Sequence, residues 1–161
     1  MSSTAIYGQI QSCQSQIDAC SEEIRMMQLR LENRYALEIQ YGQKKSIALE
    51  NLETKKSKAD RIIDFAQTSK LASKYESRVG EKAQIRVVTE KQVQLERVHV
   101  GIRTAIKEDE EALNVLQQQF RRLQNQLATL NDEYNSALAR EAEDAARAAQ
   151  EAQAASTKNK S

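Results

Sequence analysis

His99 is the only histidine in the chain, and so the only residue of the type that moves protons readily near neutral pH. It falls between Leu95 and Ile102 at helical spacing, where a lone histidine reads as part of a packed seam. Cys13 and Cys20 are the only thiols. Seven residues apart, they share one helix face at about 10 Å along the axis. That exceeds the Cα spacing of about 7 Å that a disulfide tolerates. They read as small core thiols, and with one histidine they make no zinc set. No Ser–His–Asp or Cys–His–Asn grouping is in prospect. Gly80 and Gly101 belong to no phosphate-binding pattern. Glu108, Asp109, Glu110 and Glu111 form a charge run of the solvated kind. The expectation is a protein that is not an enzyme and carries no cofactor and no metal.

The elements that carry these residues are legible from apolar spacing. One seam reads Ile10, Cys13, Ile17, Cys20, Ile24, Met27, Leu31, and a second reads Leu113, Leu116, Phe120, Leu123, Leu127, Leu130, Tyr134. Alternating steps of three and four average about 3.5 residues, the period at which a stripe on one helix keeps facing a partner helix. No proline interrupts the 161 residues, so very long helices are allowed. Aromatics are 4% of the chain and tryptophan is absent, too little for a compact globular core. The predicted fold is all-α: an elongated antiparallel helical hairpin of two long coiled-coil helices.

Charge excludes other classes. The 24 basic and 23 acidic residues are mixed along the chain, with no basic face to track phosphates, so no nucleic-acid role is expected. The N-terminus lacks a basic start and an apolar run, hence no Sec-type signal. No segment approaches the roughly 18 apolar residues of a membrane span, so no membrane insertion is expected. The expected location is the cytoplasm, with co-secretion by a non-Sec route left open.

Four segments follow. Residues 1–66 form the first long helix, started by Ser2, Ser3 and Thr4 as N-cap candidates. Residues 67–81 form the apex, with bends at Thr68–Ser69 and Gly80 and a short helix over Lys70–Val79 between them; Gly80 suits a left-handed backbone position. Residues 82–138 form the second long helix. Residues 139–161 are Ala/Glu-rich, a single helix fraying into a disordered STKNKS tail.

Past Leu31 the strict phase would place Arg34, Glu38, Tyr41 and Lys45 in the core, which is poor, whereas Tyr35, Leu37, Ile39 and Tyr41 spread around the helix. The pattern recovers from Ala48 and Leu52 towards Ala59, Ile62, Ile63 and Phe65. Extended backwards, the second seam takes in Asp109, Ile106, Ile102, His99, Leu95, Gln92 and Val88. The polar interruption thus comprises Tyr41, Lys45, His99 and Asp109. If the chain folds back near residue 75, Tyr41 meets Asp109, and a Tyr41–Asp109 hydrogen bond or a Lys45–Asp109 pair would fix the register. The other reading is a middle that opens to admit a third helix. Met26, Leu29, Leu37, Val87, Val93, Val98 and Val100 exceed what one seam uses. They are the candidate partner-binding residues, unless the core stripe is simply broad.

The lead MSSTAIYGQIQSCQSQIDACSEEIRMMQLRLEN, the bend, and the Leu-rich heptads EEALNVLQQQFRRLQNQLATL together resemble the small all-helical accessory proteins encoded beside LXG-domain toxins of Gram-positive type VII secretion systems. The resemblance spans most of the chain in length, organisation and texture. It implies a targeting chaperone that binds the helical N-terminal region of its toxin and promotes export, with a second small helical protein as a further partner. The Trp-X-Gly turn of the wider superfamily is absent, since Gly80 follows Arg78 and Val79. The Tyr-X-X-X-Asp/Glu signature is absent too, since Val79 stands four after Tyr75 and Leu138 four after Tyr134. Two alternatives stand beside it: a coiled-coil stalk protein of a flagellar or type III export apparatus, and a homodimeric coiled-coil spacer.

Overall fold

The absence of proline is realised as two helices. The structure, a computed structural model, describes residues 2–71, 74 and 80–158. Helix α1 spans Ser3–Thr68 and helix α2 spans Glu81–Lys158, and they pack against each other as an antiparallel helical hairpin. Of the predicted caps, Ser2 serves: its carbonyl accepts from Ala5 N (3.1 Å) and Ile6 N (3.2 Å), and its hydroxyl accepts from Ala5 N (3.4 Å). At the far end of α1, Thr68 Oγ1 donates to the Phe65 carbonyl at 3.0 Å.

Both predicted bends fall outside the helices. Ser69 follows the end of α1, and Gly80 precedes α2 with φ 67°, a conformation that a Cβ would strain. The Gly80 carbonyl then accepts the first α2 bond, from Gln84 N at 3.1 Å. The apical helix predicted over Lys70–Val79 lies outside the described residues except at Lys70, Leu71 and Lys74, which are helical.

Two compact units divide the chain. The first combines Met1–Gln28 with Ala112–Ser161. Its core buries Ile6, Cys13, Ile17, Cys20, Leu123, Leu130 and Ala137, with Ile10, Ile24, Leu116, Phe120, Leu127 and Tyr134 packed against them. The two thiols are free and buried, and they donate to carbonyls of α2: Cys13 Sγ to Leu123 O (3.4 Å) and Cys20 Sγ to Leu116 O (3.5 Å). Side chains this small let the backbones approach. Tyr7 and Tyr134 meet beside this core in a tilted pair, with ring centroids 5.9 Å apart.

The segment predicted to fray is helical, and near its start it makes a contact with α1, while residues 142–154 are exposed. Glu141 accepts from Ser3 N (2.8 Å) and from Ser3 Oγ (2.7 Å), so α2 supplies the carboxylate that the first turn of α1 lacks. Ser156, Thr157 and Lys158 of the predicted tail continue α2; residues 159–161 lie outside the described set.

The second unit is Leu29–Glu111. Leu31, Ala59, Val88 and Ile106 are buried, and with them Asp109. Here the polar interruption expected after Leu31 stays in phase with the seam. Arg34, Glu38, Tyr41 and Lys45 hold the three–four spacing and are half-buried, while Tyr35, Leu37 and Ile39 are exposed. The reason is mutual satisfaction: each polar side chain in the seam finds a charged or hydrogen-bonding partner on α2. At the other end of α1 the stripe passes through Ile62, Ile63 and Ala66, and Phe65 is 64% exposed, so it is not part of the recovered seam.

Candidate partner-binding surface

The polar stretch of the seam is built by pairs across the second unit. Arg30 forks onto Asp109, Nε to Oδ2 at 2.9 Å and Nη2 to Oδ1 at 2.8 Å. Arg34 Nη1 sits 3.0 Å from Asp109 Oδ2 and also donates to the Ala105 carbonyl. Glu38 Oε1 accepts from Arg103 Nε at 2.8 Å and lies 3.8 Å from His99 Nε2. Lys45 donates to Glu96, and its Nζ lies 3.0 Å from His99 Nδ1. Tyr41 donates to the Leu95 carbonyl at 3.0 Å, its ring 5.8 Å from that of His99. The Lys45 ammonium holds the Glu96 carboxyl below its usual range, and the hydrogen bond to Glu110 pushes the Tyr35 phenol up.

The expected pairs of Tyr41 and Lys45 with Asp109 do not form. Arg30 and Arg34 face Asp109 instead, about two to three turns earlier along α1 than Tyr41. The register shifts because α2 begins beside the body of α1: Gly80, which precedes α2, shares a hollow with Ala59, well short of the end of α1 at Thr68. Among the described residues, no buried side-chain nitrogen or oxygen of the seam is left unpaired.

All seven candidate partner-binding residues are exposed, from 47% at Leu29 and Val87 to 53% at Val93 and Val100. They are not one patch. Met26 belongs to the first unit and the other six to the second. Of those six, Val87 and Val98 line hollows between α1 and α2; Leu29, Leu37, Val93 and Val100 line neither of these.

One hollow, of about 350 Å³, is walled by Leu52, Ala59, Ile85, Val87 and Val88 and rimmed by Lys55, Lys56 and Lys91. The other, of about 510 Å³, is walled by Tyr41, Ala48, Leu52, Leu95 and Val98, with Lys91 again at its edge. Leu52 and Lys91 line both, which makes them one trough within the second unit.

Sequence reasoning missed the lysines. The signal was present: strict spacing from Leu52 lands on Lys55, yet Lys56 is the half-buried residue and Lys55 is exposed. The seam slips at this pair of long cations, and the hollow opens beside them over the small, buried Ala59. Ile39, Ile47 and Val115 were also passed over, though each is over 60% exposed. They lie off the three–four spacing and carry no signal beyond hydrophobicity.

Among the described residues no three His, Cys, Asp or Glu side chains gather as a metal set, and no helix is long and apolar enough to cross a membrane. What the geometry defines is a helical hairpin with a polar, fully paired seam segment and an apolar trough. No family model matches the sequence, and neither the curated proteins nor the solved structures yield a match.

Proposed function

We propose that this protein is a non-enzymatic helical adaptor, a targeting chaperone that binds the helical N-terminal region of a secreted LXG-type toxin and promotes its export. The trough of the second unit carries the reading. Two paired helices already bury one stripe each, and beside it the half-buried Leu52 and Leu95 with the exposed Val87 and Val98 leave an apolar wall suited to the side chains of a further helix. The toxin class rests on the resemblance in length, organisation and heptad texture. The paired polar seam supports the same role, since a hairpin that holds its own register can receive a client without being remodelled by it.

The test is co-expression with any long helical protein encoded beside this gene, followed by affinity capture on this chain. A stoichiometric complex that protects the client's N-terminal helices from protease is the expected result. Failure of any adjacent helical protein to co-purify would sink the proposal. A chain that forms a concentration-dependent dimer in light scattering and captures nothing would point to a spacer.

A further inference from the structure

From the trough in the second unit we infer that the occupant is an acidic amphipathic α-helix of the partner, with apolar anchors at positions i and i+7 and carboxylates flanking them. The inference rests on the helical-client reading and adds the chemistry and spacing of the client segment. The spacing comes from the walls. Val88 and Leu95 stand seven residues apart on α2, as do Ala59 and Leu52 on α1. Seven residues advance about 10 Å, the separation of successive anchors on one face of a helix lying alongside.

The charge comes from the rim. Lys55, Lys56 and Lys91 edge the trough, and among the described residues no Asp or Glu lines either hollow. That is a local departure, because the whole chain carries 24 basic and 23 acidic residues. Nor do these lysines have ion-pair partners among the described residues, unlike Lys45 with Glu96. An apolar floor between unpaired cations selects a helix whose apolar stripe is bordered by Asp and Glu. The hollow is concave and set between two helices, a form that admits a helix better than the flat surface of a bilayer.

The probe is a designed peptide of three heptads, with Leu at the anchor positions and Glu at the flanks, labelled for fluorescence anisotropy. Its twin carries Lys in place of Glu. The full-length protein is expected to bind the acidic peptide at least about tenfold more tightly than the basic one, with binding that weakens as salt rises. Lys55→Glu with Lys91→Glu should reverse that preference while leaving the circular dichroism spectrum unchanged, since both lysines lie at the rim. Val87→Asp should remove binding of either peptide.

Equal binding of the two peptides, no binding at all, or a preference unmoved by the lysine variants overturns the inference. So does displacement of the acidic peptide by vesicles of phosphatidylserine, or a protein dimer that Val87→Asp dissociates. The two readings fail separately. A client that co-purifies equally with wild type and with the double lysine variant leaves the adaptor standing and removes this site. An acidic peptide that binds as expected, with no adjacent protein captured, does the reverse.

Discussion

Asp109 is 6% exposed and receives both arms of the Arg30 guanidinium, at 2.9 and 2.8 Å. A carboxylate at a seam position is tolerated because a planar fork, joined by Arg34, satisfies it. The pair also acts as a register mark. Sliding one helix by a turn would part Asp109 from the Arg30 fork and leave a buried carboxylate without it.

Asp109→Ala should therefore cost about 1–3 kcal/mol, the worth of hydrogen bonds to a charged group plus a stranded Arg34. Urea unfolding should show a lower midpoint with an unchanged slope. Replacing Arg34 and Asp109 together with Leu should recover most of that loss, since an apolar pair of similar volume is often neutral or stabilising. A double variant no better than the single one would mean that the pair does more than satisfy itself.

Ile17→Asp and Leu123→Asp each put a charge into the core of the first unit, where both residues are 8% exposed. Each should lose most helicity at 25 °C by circular dichroism. Retained helicity would show that the second unit holds the hairpin without the first.

The carboxyl of Glu141 is held below its usual range, first by the Ser3 backbone N–H and then by the Ser3 hydroxyl. A lowered folded pKa means that stability from this contact is complete above the ordinary carboxylate value of about 4.3 and drains as pH falls through the lower, folded value. Glu141→Gln should melt earlier than wild type at pH 7, and the difference should vanish at the acid end of that window. A difference that grows on acidification would contradict the assignment.

Val87→Asp and Val100→Asp separate the trough from mere exposure. The two valines are 47% and 53% exposed, but only Val87 lines the trough. Val87→Asp should reduce capture of a helical client at least tenfold, a loss of about 1.4 kcal/mol or more, with unchanged helicity. Val100→Asp should bind as wild type does. Equal losses from both would place the docking face elsewhere.

Gly80→Ala should lower the melting temperature, because a Cβ at φ 67° costs roughly 1–2 kcal/mol although the space around it is open, the nearest atom being Ala83 Cβ at 3.8 Å.

Much of the fold could be read from the chain because its determinants are local and periodic. The three–four steps from Ile10 to Leu31 and from Leu113 to Tyr134 named every apolar residue of those stripes, and all are buried or half-buried. The backward extension through Asp109, His99, Leu95 and Val88 likewise marks the face that α2 turns inward. The site was less legible. Exposure of Val87 and Val98 was foreseeable from their place off the seam. That they flank a trough with Lys55, Lys56 and Lys91 was not, because a hollow depends on what the opposite helix leaves unfilled.

By itself, then, the sequence determined which residues form helix, which face of each helix is inward, and where backbone freedom was required, at Gly80. Those properties follow from proline's absence, side-chain period and the sterics of a single residue. The tertiary structure alone decided the pairing: Arg30 rather than Tyr41 opposite Asp109, Glu141 on Ser3, and Lys45 against Glu96 and His99. A heptad stripe looks alike after every seven-residue slip. Register is therefore set by the few long-range polar pairs that only one alignment satisfies.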